Sequence, residues 1–221
     1  MNTQITVHPK LQHYGLTTAN LDAMTDWYRK VLGMTVNHRA TVPPEAQGRA
    51  PFSAFAFLSN DQLDHRLVLF EVPGASLDPD RRRHAGLQHV AFECATLDDL
   101  LGTYVRLKNL GVLPQWAADH GVGISLYYED PEQNRIEINA SNYSDAWTAT
   151  EHLRVSRGMM MAHVDPEKMV AARKAGASPW ELHERAVAGE FSPAAAKQQF
   201  QPIVVGKSGL HSQPCPGGGS E

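Results

Sequence analysis

Two histidines of this 221-residue chain stand at the same point of a repeated pattern. His13 lies in Leu11-Gln12-His13-Tyr14 and His89 in Leu87-Gln88-His89-Val90. Behind them Ala19-Asn20-Leu21-Asp22 matches Ala95-Thr96-Leu97-Asp98, and an amphipathic stretch in each copy closes at Leu32-Gly33 or Leu110-Gly111. A repeat of this length is one supersecondary unit used twice, and the copies must bury their faces on each other. Pseudo-symmetry then brings the two imidazoles together, as ligands short of a third. Glu137 supplies it. In Asp130-Pro131-Glu132-Gln133-Asn134-Arg135-Ile136-Glu137-Ile138 a turn precedes a strand on which Ile136 and Ile138 share one face and Glu137 takes the other. A lone carboxylate facing an interior is costly to desolvate unless it is paired or bound to a metal. Two neutral imidazoles and one carboxylate form the facial set typical of non-haem Fe(II), with Mn(II) as the other metal such ligands accept, and positions stay open for substrate and dioxygen. Taken singly, each residue also fits a hydrogen-bonded core histidine or an edge-strand glutamate; the register of the repeat sets the three apart.

The elements that must position these groups follow the same repeat. In the first copy the pattern predicts strands over Leu11–Thr17, Met34–Arg39, Ser53–Leu58 and His65–Val72, with a helix over Leu21–Leu32 capped by Asn20 and stopped by Gly33. In the second it predicts strands over Leu87–Glu93, Val112–Trp116, Ile124–Glu129 and Arg135–Asn139, with a helix over Leu97–Leu110. The fold class is α+β: two βαβββ modules over residues 10–142, forming a half-open mixed β-barrel. Residues 143–200 change character and are expected to be a helical appendage. One helix spans Ser144–Arg157, and others start at Asp165-Pro166-Glu167, Ser178-Pro179-Trp180-Glu181 and Ser192-Pro193, each pairing an N-cap with proline at the first helical position. Met159–Met161 is a helix junction. Residues 201–221 form a tail, and its Gly-, Ser- and Pro-rich end, Gly206–Glu221, is expected to be disordered.

Composition narrows the class. With 42% hydrophobic and 20% charged residues the chain is expected to be soluble and globular. A net charge of −4 leaves no basic footprint for nucleic acid. No run approaches the ~20 apolar residues of a membrane span, and the first ten residues lack the apolar core of a secretory signal. Cys94 and Cys215 do not make a disulfide framework, which points to a cytoplasmic protein.

The double βαβββ unit and its ligands His13, His89 and Glu137 resemble the vicinal oxygen chelate superfamily, which holds glyoxalases, bleomycin resistance proteins and dioxygenases. Several positions resemble its single-domain type I extradiol dioxygenases. The run Phe57-Leu58-Ser59-Asn60-Asp61-Gln62-Leu63-Asp64-His65-Arg66-Leu67-Val68-Leu69-Phe70 is similar to the extradiol segment in which a leucine-serine turn leads to a histidine and an apolar strand. The resemblance makes His65 the acid–base residue. It makes Tyr127, ten residues before Glu137, a hydrogen-bond partner of the substrate, and His120 of Asp119-His120-Gly121 an assistant in substrate binding, although His120 stands closer to Tyr127 than in the family. Related isomerases carry a fourth, carboxylate ligand in the first copy; here that position is Val68. What the resemblance implies is an Fe(II) enzyme that cleaves a catechol-type diol with dioxygen and that forms a homo-oligomer, with no nucleic-acid or membrane partner. A metal-dependent isomerase, epimerase or thiol transferase on the same fold remains open, as does a metal-free binding protein.

Overall fold

The computed structural model describes residues 8–46, 48–156 and 161–193. The Ser192-Pro193 helix, the tail from residue 201, Met159, Met160 and Cys215 therefore lie outside the described residues or run out of them. The first module runs β1 (Tyr14–Thr18), α1 (Leu21–Leu32), β2 (Thr35–Thr41), β3 (Ala54–Ser59) and β4 (Leu67–Glu71). The second runs β5 (Val90–Glu93), α2 (Leu97–Asn109), β6 (Trp116–Asp119), β7 (Gly123–Glu129) and β8 (Arg135–Ser141). After them come α3 (Ala146–Val155), a two-residue strand β9 (Ala162–His163), α4 (Pro166–Lys174) and α5 (Pro179–Val187).

These elements make two mixed sheets, ordered β1-β4-β3-β2 and β5-β8-β7-β6-β9, and no closed barrel is present among the described residues. In each module the first and last strands pair in parallel, β1 on β4 and β5 on β8. The other pairs are antiparallel. One face of each sheet is covered by its helix. From α1 come Leu21, Met24, Tyr28 and Val31, and from α2 Leu97, Leu100, Tyr104 and Leu107, all buried against strand residues such as Leu67, Leu69, Ile136 and Ile138. Each large aliphatic side chain so removed from water contributes about 1.5–3 kcal/mol. The helix starts carry the expected caps: Asn20 Oδ1 accepts from Ala23 N at 3.0 Å, and Thr96 Oγ1 from Asp99 N at 3.1 Å.

Several expected boundaries shift. Strand β6 begins at Trp116 rather than Val112, because Pro114 has no amide to give to a ladder. β1 and β5 begin at Tyr14 and Val90, so Leu11 and Leu87 stay exposed and both repeat histidines sit just ahead of their strands. The last two helices, α4 and α5, are anchored in the molecule with their flanks: Val164, Met169, Ala172, Leu182, Ala186 and Phe191 belong to the continuous core, whereas α3 buries no residue. Strand β9 extends the second sheet along β6, pairing Ala118 with His163 and Asp119 with Ala162. Two residues are too few to give an alternation, so β9 leaves no periodic signal in the sequence.

Candidate functional site

The uncovered face of the second sheet carries the chemistry. Register places Ala91, Glu137, Tyr127 and Trp116 in one row across β5, β8, β7 and β6, and Glu93, Asn139, Ser125 and Ala118 in the next. Glu137 is buried, and its carboxylate is fully engaged. Oε1 accepts from Ser125 Oγ at 2.6 Å and from Asn139 Nδ2 at 3.3 Å. Oε2 lies 2.9 Å from His89 Nε2. The other ring nitrogen, His89 Nδ1, hydrogen-bonds the side-chain carbonyl of Gln88. A carbonyl oxygen can only accept, so Nδ1 donates there and Nε2 is the nitrogen left to face Glu137. That nitrogen meets a carboxylate oxygen at contact distance. Two electron-rich atoms so placed need a positive charge between them, a proton on the ring or a cation, and imidazole plus carboxylate is a donor set suited to a divalent metal.

The first module repeats half of this arrangement. His13 Nδ1 bonds the side-chain carbonyl of Gln12, as His89 does that of Gln88. The Gln12 amide in turn donates to Asp64 Oδ1 at 3.3 Å and His65 O at 3.4 Å. His65 lies beside His13, ring centroids 4.3 Å apart, and stacks on Phe57 at 4.4 Å. Its Nδ1 is 2.5 Å from Asp64 Oδ2, and that contact holds the Asp64 carboxyl below the usual carboxylate range. The pairing of β1 with β4 sets Gly15 against Val68, just as β5 with β8 sets Ala91 against Glu137. Val68 is therefore the twin of Glu137, and the first sheet offers no carboxylate there. Its face is aromatic instead: half-buried Phe52, Phe55, Phe57 and Phe70 touch one another.

The six sequence-predicted site residues thus fall in two groups. His89, Glu137, Tyr127 and His120 share the second sheet, and His13 with His65 stands on the first. Among the described residues no three His, Cys, Asp or Glu side chains gather closely enough to hold a metal ion, so His13 is not brought together with His89 and Glu137 as a ligand set. Tyr127 packs flat on Trp116, centroids 4.0 Å apart, and edge-on to His89 at 5.9 Å. Its hydroxyl is 3.0 Å from His120 Nε2. Burial, then the nearby Glu137 charge, pushes the Tyr127 hydroxyl above its ordinary range, so it stays protonated. Burial lowers His120 and favours the neutral ring. A neutral Nε2 accepts from Tyr127, whose oxygen keeps lone pairs for another donor.

A cavity of about 700 Å³ opens on this face. His120, Ser125, Glu137 and Asn139 line one end. The other end is walled by Ala146, Ala149, Thr150 and Leu153, which lie at helical spacing on one side of α3. Sequence reasoning names the six groups but not the side chains that contact them. Gln12, Gln88 and Asp64 each precede a histidine, and that adjacency was the available signal. Ser125 and Asn139 follow from strand alternation once Glu137 is placed.

The whole arrangement, twin βαβββ modules with a histidine before each first strand and one carboxylate, has a match among known families. Residues 10–138 fit the Glyoxalase/Bleomycin resistance protein/Dioxygenase superfamily, and the chain belongs to it. Two relatives come from Rhodococcus globerulus. Biphenyl-2,3-diol 1,2-dioxygenase 3 is 34% identical over 82% of this chain and 91% of its own length. Biphenyl-2,3-diol 1,2-dioxygenase 2 is 37% identical over 67% of this chain and 72% of its own. Within the superfamily, then, the chain is an enzyme of the extradiol dioxygenase type. Among solved structures, a glyoxylase/bleomycin resistance protein/dioxygenase domain from Frankia sp. EAN1pec is 24% identical with a TM-score of 0.49, covering 61% of this chain and 99% of its own. No helix among the described residues is long and apolar enough to cross a membrane.

Proposed function

We propose that the chain cleaves the ring of a catechol-type aromatic diol beside its two hydroxyls, using dioxygen and Fe(II) held by His13, His89 and Glu137. The observation that carries this reading is the contact of His89 Nε2 with Glu137 Oε2, on a ring whose other nitrogen is committed to Gln88. Iron held there would supply the Lewis-acid and redox chemistry that a diol and dioxygen need to react. Gln12 and Gln88 hold their imidazoles in the ligating tautomer. The hydroxyl of Tyr127 donates to His120 Nε2 and can accept from a diol hydroxyl, so the pair can draw off a substrate proton. With Nδ1 engaged by Asp64, His65 can take up and return a proton at Nε2. Val68 in place of a fourth ligand supports oxygen chemistry over isomerisation. The cavity of about 700 Å³, lined in part by Ala146, Ala149 and Leu153, together with the substrate named for the relatives, supports a diol carrying a second ring.

The test is anaerobic reconstitution with Fe(II), then admission of oxygen with catechol, methylcatechols and biphenyl-2,3-diol, recording oxygen uptake and product absorbance. Stoichiometric uptake with a yellow product is expected, greatest for the biphenyl diol. Glu137→Ala should abolish it, and His65→Ala should slow it by about 10²–10⁴. Metal retention with no oxygen uptake across the panel would turn the reading toward isomerase chemistry.

A further inference from the structure

The C-terminal helices reach the site by a buried polar route that the reaction above does not use. Asp119 ends β6, next to His120, and its side chain is 0% exposed; that of His183, on α5, is 8% exposed. An uncompensated carboxylate in such surroundings is very costly, yet both oxygens of Asp119 are satisfied. Oδ2 is 2.7 Å from His183 Nδ1, and Oδ1 accepts from Gly121 N at 2.7 Å. Asn142 Nδ2 lies 3.1 and 3.3 Å from the two oxygens, 3.1 Å from Gly121 O and 3.0 Å from His183 Nδ1. Asp119 and Asn142 therefore clamp Gly121 through both its N–H and its C=O. Gly121 has φ +82°, a backbone state that side chains disfavour, so the turn keeps its shape only while something holds it. His120 lies inside that turn, its own N–H given to Gly123 O at 2.8 Å. Of the three residues of the clamp, Asp119 ends β6, Asn142 follows the last residue of β8, and His183 comes from a helix 64 positions beyond Asp119 in sequence. Trp180 closes the outer side of the His183 ring, centroids 4.9 Å apart.

We propose that His183 is a positioning residue for the ring-cleavage reaction: donating Nδ1–H to Asp119, it holds the turn that keeps His120 Nε2 on the Tyr127 hydroxyl. The proposal rests on the diol-cleavage reading for what that pair does, but the mechanical link is a property of the chain itself. It gives the helices beyond the repeat a part in the active site. A purely structural clamp would stabilise the fold without acting through His120, and a double-mutant cycle separates the two cases, because residues acting through one another give non-additive losses.

In the Fe(II)-loaded full chain, His183→Leu is expected to lower kcat by roughly 100-fold, the scale of a misplaced catalytic group. His183→Asn, which keeps a donor near the Nδ1 position, should recover most of it. In a His120→Ala background the same His183→Leu change should cost little more. Equal losses in both backgrounds, or unchanged kcat in His183→Leu, would overturn the proposal. A second readout needs no metal and no turnover: ¹⁵N NMR of the metal-free protein should show His120 Nε2 as a hydrogen-bond acceptor in the wild type and His183→Asn, and not in His183→Leu. An unaltered His120 signal in a folded His183→Leu protein overturns it also. If the wild type consumes no oxygen, the reaction reading fails while the NMR comparison still decides the link.

Discussion

Glutamine does at this site what a carboxylate often does behind a metal-binding histidine: it accepts from the far ring nitrogen and so fixes which nitrogen faces inward. Gln88→Leu removes that acceptor without touching the proposed ligand His89. Metal affinity should fall by about 10–100-fold, measured by competition against a chelator, while the melting temperature of the metal-free protein barely moves, since Gln88 is exposed. The titration of His120 gives a prediction with a definite sign. Its folded pKa is lowered by burial, so below the unfolded value of about 6.5 the unfolded chain takes up a proton that the folded chain refuses. That part of the stability is intact above about pH 6.5 and is lost as pH falls toward the folded value. His120→Gln should flatten the fall in melting temperature over this window; an unchanged slope would show that His120 is not its source. At this scale the sequence was legible where it repeated itself. His13 and His89 were paired by the repeat, and Glu137 stood out by its place between Ile136 and Ile138 after a turn. Gln12 and Gln88 were in plain view, but a motif does not say which atoms it joins. His183 was not legible at all, because nothing in a helix pattern points to a partner 64 residues upstream.

At the scale of elements, the pairing register distinguishes the two modules. β4 and β8 occupy the same place beside β1 and β5, and only β8 brings a carboxylate. This asymmetry was readable by superposing Arg66-Leu67-Val68 on Arg135-Ile136-Glu137, since strands keep count two residues at a time. What could not be read was where β6 would begin, or that a two-residue strand would dock on it. The β7–β8 ladder also depends on a close approach at Gly123: a Cβ there would lie 2.8 Å from the carbonyl oxygen of Ala140. Backbone cannot step aside as a flexible side chain can. Gly123→Ala should therefore destabilise the protein by about 1–3 kcal/mol, a drop of roughly 2–12 °C in melting temperature for a chain of this size. Because Gly123 O also receives the His120 N–H, the loss in kcat should exceed that of a mutation equally destabilising on α1. Parallel losses would detach the ladder from the site.

At the scale of the molecule, the two modules are joined by more than their linker. Tyr28 Oη donates to Asp130 Oδ2 at 3.0 Å in a buried contact, Glu132 receives Thr18 Oγ1 and Ala19 N at 2.8 Å each, and Arg106 bonds the carbonyls of Lys30 and Val31. One relative matches along 82% of the chain and not the repeat alone. The linker itself, between β4 and β5, is largely exposed, with Gly74 at φ +78° and Arg81 tied back to Glu132 O and Asn134 Oδ1. The parallel pairing of β1 with β4 and β5 with β8 makes each module complete before the linker begins and after it ends, and the consequence is that the catalyst is divisible. A protease site placed after Gly74 would yield halves that stay associated, each bearing one glutamine–histidine pair. Oxygen uptake should survive the nick, vanish when the halves are separated in denaturant, and return when they are mixed; if either half worked by itself, the shared-ligand arrangement would be wrong. A protein so cut reports the meeting of two molecules by consuming oxygen.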